Sequence, residues 1–283
     1  SRVSGCDPNQ VSLVEITTAR VSIMDLSKNP ITFRIRLKIP GNNPNSSVEL
    51  IGMVLDGSQS LFQFGNETDG FSTHIVVMDC EISGYDNMVV HESSCKCDTT
   101  LEIRSSSLRD SGIYFDYQKS PRVDFDLRIL RSSWTNLHTM VWFRTDSRST
   151  LVMRANELTI YEKPHNMIYF GSNNASNNGI NEISGNKFFS ESISQATIPI
   201  VVSSRDPVTL QYNQIDWKFP TVARIGNCGV STMNSQLVTQ WWLMNPLTAS
   251  MHSALEIYPC GYPRFAEKYL PDGAFLGDQM ITP

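Results

Sequence analysis

The sequence predicts an all-β chain: an antiparallel β-sandwich of jelly-roll type, in two tandem domains. Three observations carry this expectation. Apolar and polar residues alternate with period two in one segment after another. Clusters of Ser, Thr, Asn, Gly and Pro interrupt these segments about every dozen residues, a rhythm that reads as an antiparallel β-sandwich. Sustained helical periodicity is missing.

Taken in order, "ITFRIRLKIP" (31–40) sets Ile31, Phe33, Ile35, Leu37 and Ile39 against Thr32, Arg34, Arg36 and Lys38. "SVELIGMVL" (47–55) is apolar on both faces and reads as a central strand. "GIYFDY" (112–117), "VDFDLRIL" (123–130), "TMVWFR" (139–144), "TLVMR" (150–154), "ELTIYE" (157–162) and "IPIVVSS" (198–204) follow the same habit. In 208–219, Val208, Leu210 and Tyr212 share one face. Ile215, Trp217 and Phe219 then resume one residue out of step, which implies a β-bulge near Asn213–Gln214. "SQLVTQWWLM" (235–244) suits a short helix or a strand. From Asn245 onward, Pro246, Pro259, Pro263 and Pro271 imply an extended strap. The polar break "RTDSRST" (144–150) divides an N-terminal domain, 1–147, from a C-terminal domain, 148–283.

With 40% apolar and 18% charged residues, the chain has the composition of a folded protein with a real core. Its net charge of −5 supplies no global field to draw it to nucleic acid. No apolar run approaches the roughly 20 residues that span a bilayer. The start, "SRVSGCD", lacks a basic and then apolar leader, so a secreted form is expected to be a processed chain.

Six cysteines, Cys6, Cys80, Cys95, Cys97, Cys228 and Cys260, suit three disulfides in an oxidising compartment. Cys228 is expected to pair with Cys260, and Cys6 and Cys80 with Cys95 and Cys97 in either order. A zinc site is disfavoured, because Cys-x-Cys is not the usual knuckle and no His stands at ligand spacing. Sequons at Asn45, Asn66 and Asn174 lie in polar, turn-like stretches where a glycan can be accommodated.

The cationic row Arg34, Arg36 and Lys38 has three readings. Neighbouring strands would set Arg34 and Arg36 against Asp124 and Asp126. Alternatively the row binds an anionic ligand, such as a sulfated glycan or acidic protein, or it is buried against the second domain.

Catalytic and cofactor signatures are missing. His74, His91, His138, His165 and His252 form no metal-binding pair, and neither "GFSTH" nor "DSGIY" is a hydrolase elbow. "GSNNASNNG" has no phosphate-loop spacing, and "NCGVS" around Cys228 reads as a disulfide half. Among Trp134, Trp142, Trp217, Trp241 and Trp242, Trp142 and Trp217 occupy core-phase positions. Trp241 and Trp242 are adjacent, so on a strand they point to opposite faces and one is a contact candidate.

Residues 152–219 resemble the second half of a CUB domain, an extracellular β-sandwich module. "ELTIYEKPHNMIYFGS" is similar to that family's strand and Gly-closed turn. "IPIVVSSRDPVTLQY" is similar to its apolar segment, Ser-Ser turn and alternating strand, and "IDWKF" to its last aromatic strand. No cysteine pair brackets the Gly turn, and no calcium ligands are carried over. The resemblance implies an extracellular interaction module.

The expected function is therefore non-enzymatic: a secreted or surface-displayed glycoprotein that binds a protein or glycan, possessing no cofactor, no nucleic-acid partner and no membrane span. The alternatives are a carbohydrate-active enzyme on a jelly-roll scaffold, using two facing carboxylates, and a viral or structural surface subunit.

Overall fold

In the computed structural model the chain is a β-solenoid. The described residues are 12–16, 20–25, 31–39, 45–65, 71–91, 97–116, 123–136, 139–145, 149–161, 166–172, 181–191, 199–204, 208–215, 221–226, 239–243, 253–258, 275–276 and 279–280. Each coil lays one strand on each of three faces, and successive coils stack in parallel.

Face 1 begins with β1 (Ser12–Glu15), β4 (Ile35–Ile39), β7 (Phe62–Phe64) and β10 (Val89–His91). A second sheet continues it through β13 (Ile113–Asp116), β16 (Val141–Thr145), β19 (Ile168–Ser172), β22 (Ile200–Ser204), β24 (Thr221–Gly226) and β26 (Ser253–Tyr258). Face 2 holds β2 (Arg20–Met24), β5 (Asn45–Ile51), β8 (Phe71–Met78), β11 (Cys97–Arg104), β14 (Phe125–Leu130), β17 (Thr150–Arg154) and β20 (Asn181–Ser184). Face 3 holds β3 (Thr32–Phe33), β6 (Val54–Asp56), β9 (Glu81–Ser83), β12 (Ser107–Arg109), β15 (Ser133–Asn136), β18 (Glu157–Ile160) and β21 (Lys187–Ser190). The long β23 (Val208–Ile215) serves both: its first half pairs with β20 and its second half with β21. β25 (Thr239–Leu243) stacks on β23, and β27 (Phe275–Leu276) on β26. Only β27 with β28 (Gln279–Met280) is antiparallel among the described pairings.

These findings overturn the antiparallel sandwich and the CUB resemblance. The CUB-like "ELTI" is β18, which pairs in parallel with β15 and β21. "IPIVVSS" holds β22, parallel to β19 and β24. Two apolar runs taken as single strands each turn a corner. Gly52, at φ 64, splits 47–55 between faces 2 and 3, and Arg34 splits 31–40 between faces 3 and 1. The expected irregularity at Asn213 is where β23 turns a corner, with a register shift between Leu210 and Asn213 against β25. The pairing of β14 with β17 runs across the polar stretch 144–150.

Alternation works here because inward residues of successive coils land on one another. On face 2, Val48, Ile75, Leu101, Leu127 and Leu151 share one row of the register. Leu50, Val77, Ile103, Ile129, Met153 and Ile183 share the next. All are buried. Face 3 contributes one row, Leu55, Ile82, Leu108, Trp134, Leu158 and Phe188. Each such side chain stabilises by roughly 1.5–3 kcal/mol when fully buried. Trp134 is among them, and its indole N–H donates to the Ser111 carbonyl at 2.8 Å.

The corner between faces 2 and 3 is built by a recurring pair of residues. The first adopts positive φ: Gly52, Asp79, Ser105, Arg131, Ala155 and Gly185. The next is buried: Met53, Cys80, Ser106, Ser132, Asn156 and Asn186, and Asn213, also buried, takes the same place on the following coil. From Ser106 onward, each inward side chain accepts the backbone N–H of its counterpart one coil earlier. Cys80 N–H donates to Ser106 Oγ (3.2 Å), Ser106 N–H to Ser132 Oγ (3.2 Å) and Ser132 N–H to Asn156 Oδ1 (2.9 Å). Asn156 N–H donates to Asn186 Oδ1 (3.0 Å) and Asn186 N–H to Asn213 Oδ1 (3.1 Å). The buried corner thus satisfies its backbone from a ladder of short polar side chains.

Ala155 sits at φ 55, where Gly52 and Gly185 occupy the equivalent corners at 64 and 63. A Cβ is disfavoured in this region. Ala155→Gly is therefore expected to stabilise by about 0.5–1 kcal/mol after the larger chain entropy of Gly is subtracted. Urea titration of the two proteins checks it.

Cys80 occupies a ladder position and is a free, buried thiol, so the three-disulfide framework is overturned. Its Sγ lies 3.2 Å from the Met78 carbonyl and 3.4 Å from that of Leu50, and burial pushes its pKa up. Cys97 is disulfide-bonded. No disulfide joins two described residues, and Cys6, Cys95, Cys228 and Cys260 lie outside them.

Candidate functional site

Inward positions make the core, so recognition falls to the outward ones. The expected cationic row lies at the N-terminal end of face 1. Arg34 pairs with Asp56 at 3.3 Å and Lys38 with Glu15 at 3.7 Å, while Arg36 donates to the Gln59 side chain. Asp124 and Asp126 are on face 2 and do not meet these cations. Asp126 Oδ1 instead accepts the Thr150 hydroxyl at 2.6 Å. Arg34 and Lys38 are paired, with partners the sequence reading did not name, whereas Arg36 meets only the neutral Gln59 amide and its Nε is buried without a hydrogen-bond partner among the described residues. Solvated pairs of this kind contribute only about 0–1 kcal/mol each.

Of the other expected contacts, Trp241 and Trp242 fall on β25, opposite Asn213 and Gln214. Their side chains lie outside the described residues, as do Trp217, Asn66 and Asn174. Asn45 opens β5, is exposed, and accepts the Ser72 hydroxyl at 2.9 Å.

Two outward clusters that sequence reading missed are better formed. The first is aromatic. Trp142 points outward from face 1, because its neighbours Val141 and Phe143 are fully buried. It shares one register row with Tyr114 and Tyr169. The rings stack nearly parallel, Tyr114 on Trp142 at 5.7 Å and 10°, and Trp142 on Tyr169 at 4.1 Å and 12°. Gly171 makes room for this row: a Cβ there would stand 3.0 Å from the Tyr169 ring. At the other end, the Asn87 side chain replaces a missing strand. Its Oδ1 accepts the Tyr114 N–H and its Nδ2 donates to the Tyr114 carbonyl, both at 2.9 Å. Because the rings pack face to face, they cover one another's faces, and the Trp142 indole N–H is buried without a hydrogen-bond partner among the described residues. Tyr114 is 40% exposed, and Trp142 and Tyr169 are half-buried.

The second cluster is on face 2. Glu102 is buried, and its carboxylate lies 2.6 Å from Arg104 and 3.9 Å from His74. Glu182, also buried, is held by Arg154 and accepts the Ser184 hydroxyl. The Arg154 hydrogen bond holds the Glu182 carboxyl below the usual carboxylate range despite its burial. Arg128 stands between them in the register, and Arg131 stands at the corner. A missed signal is visible in hindsight: Arg104 and Arg154 stand at matching ends of the strands "LEIR" and "LVMR", with Leu130 between them in the register.

Among the described residues no group of three or more His, Cys, Asp and Glu is arranged to hold a metal. No described helix is long and apolar enough to cross a membrane. No family model matches this chain, and neither a curated protein nor a solved structure matches it.

Proposed function

We propose that the chain is a non-enzymatic binding module of a secreted or surface-displayed protein, and that it docks a partner protein against face 1. The observation that carries this reading is the outward row Tyr114–Trp142–Tyr169. A solenoid core does not need it, and Tyr and Trp are the residues that dominate protein interfaces. The rings stack on one another and leave little open face between them, which favours a flat protein surface over a stacked sugar. The sequon at the exposed Asn45, on face 2, leaves this row clear.

The test is a panel of immobilised extracellular proteins and glycans, probed with the native chain and with Trp142→Ala/Tyr169→Ala. A protein ligand bound about tenfold or more weakly by the variant, with its β-sheet spectrum unchanged, is the expected result. Failure of the native chain to bind any protein on the panel, equal binding by both chains, or polysaccharide cleavage in place of binding would overturn the proposal.

A further inference from the structure

We infer that the arginine cluster on face 2 is a binding site for an acidic glycan, a linear sugar chain with recurring sulfate or carboxylate groups. This goes beyond the docking reading for face 1 and rests on different residues.

Arg104, Leu130 and Arg154 share one register row, so the two arginines stand two strands apart. That is about 10 Å at the usual interstrand spacing. Each is anchored from beneath. The Glu102 and Glu182 side chains are 6% and 11% exposed, while those of Arg104 and Arg154 are 50% and 55% exposed. A guanidinium has five N–H donors in a rigid fork. A buried carboxylate engages one side of it, and the remaining donors are held toward solvent in a fixed orientation. Arg128 lies one row away, level with Glu102, and Arg131 lies beside Leu130 at the corner. Both side chains are exposed and make no hydrogen bond or ion pair with a described residue. Two adjoining depressions run through the cluster, with Leu130 and Arg154 common to both. Leu130 and Val152 give their floor apolar character, and Asp126 and Thr150 edge one of them with groups able to meet sugar hydroxyls.

The charge pattern selects the ligand. Four arginines face three carboxylates, so the patch is cationic within a chain of net charge −5. Guanidinium forks match sulfate and carboxylate oxygens in bidentate geometry. Nucleic acid fits less well. With four arginines the patch can neutralise few phosphates, and it holds no aromatic face on which a base could stack. A peptide strand finds no free edge, because each strand from β5 to β20 is paired on both sides within face 2. A linear glycan needs only spaced anions and hydroxyl partners.

Chromatography on immobilised heparin tests the inference at about 0.15 M salt, where exposed charges are substantially screened. The native chain is expected to be retained there and to pass through neutral dextran. Arg128→Ala/Arg131→Ala is expected to weaken heparin binding about tenfold or more. Arg34→Ala/Lys38→Ala removes as many cations from face 1 and is expected to leave binding within about twofold, as is Trp142→Ala. Absence of retention, equal losses in the two arginine-cluster and face 1 charge variants, or competition by a short DNA duplex as effective as that by free heparin would each overturn it.

Discussion

Replacing Asn186 with Leu is expected to destabilise the protein by about 4 kcal/mol, more than any surface change considered above. Asn186 is fully buried at the corner of faces 2 and 3. Its Oδ1 accepts both the Asn156 backbone N–H (3.0 Å) and the Asn156 side-chain amide (2.9 Å). Its Nδ2 donates to the Met153 carbonyl and to Asn213 Oδ1, at 3.0 and 3.1 Å. Leu has the same branched outline, is bulkier, and offers none of these bonds. A buried polar group left without a partner costs about 1–3 kcal/mol, and here the Asn156 N–H and one side-chain donor are both stranded. Asn186→Ser should lose roughly half as much, because its hydroxyl restores the acceptor that Ser106 and Ser132 supply in earlier coils. Stacked repeats open locally as well as globally, so hydrogen exchange at the Asn156 amide is the direct readout, with urea unfolding beside it. Protection of that amide unchanged in Asn186→Leu would show that the ladder does not hold the corner.

The same ladder shows what was legible in the sequence and what was not. Alternation located strands within 123–130, 150–154 and 157–162, because each face of the solenoid has a wet and a dry side, but it passed over β7 to β12. Period two is silent about direction, however. An inward Leu127 looks the same whether its neighbours run parallel or antiparallel. Direction is written in the repeat. Cys80, Ser106, Ser132, Asn156, Asn186 and Asn213 recur at separations of 26, 26, 24, 30 and 27. The uneven spacing and the change from Cys to Ser to Asn hide them from a search for identical motifs. The corner residue is equally disguised, since Asp79, Ser105, Arg131 and Ala155 do what Gly52 and Gly185 do without announcing a turn.

The candidate sites were obscured for a related reason. In "TMVWFR" both parities carry large apolar side chains, so phase cannot be read locally. Met140 and Val141 are consecutive and both buried, because the chain enters β16 from a corner, and this turns Trp142 outward. Arg104, Arg128 and Arg154 are far apart in sequence and become neighbours only when the parallel register is known. The Arg34–Arg36–Lys38 row was conspicuous because it is local. Local charge rows of this kind are commonly neutralised by the adjacent strands, as Glu15 and Asp56 do here.

Acid is expected to weaken the protein through one residue of the core, His91. This imidazole takes a place in an internal aromatic column. It stacks on Phe64 at 4.7 Å and 8° and meets Phe115 and Phe125 edge-on, each at 5.8 Å. Its one hydrogen-bond partner among the described residues is the Thr99 hydroxyl, 3.0 Å from Nε2. Thr99 lies 3.4 Å from the Cys97 carbonyl, to which its own proton is directed, so it accepts from a neutral His91 protonated at Nε2. No carboxylate among the described residues adjoins the ring to compensate a positive charge, and burial lowers the His91 pKa to about 4. The unfolded chain binds the proton near pH 6.5, whereas the folded chain resists until about pH 4. The stability due to neutral His91 is therefore complete above pH 6.5 and is lost as pH falls through this window. The loss reaches about 3 kcal/mol at its acid end. Glu182, whose carboxyl is also held low, adds to the loss in the same direction at still lower pH. His91→Phe keeps the column aromatic and removes the titration. Urea unfolding of both proteins at pH 7, 5.5 and 4 separates the contributions. The variant should lose markedly less stability than the parent between pH 7 and 4, and parallel pH profiles would mean that the imidazole is not held neutral inside the column.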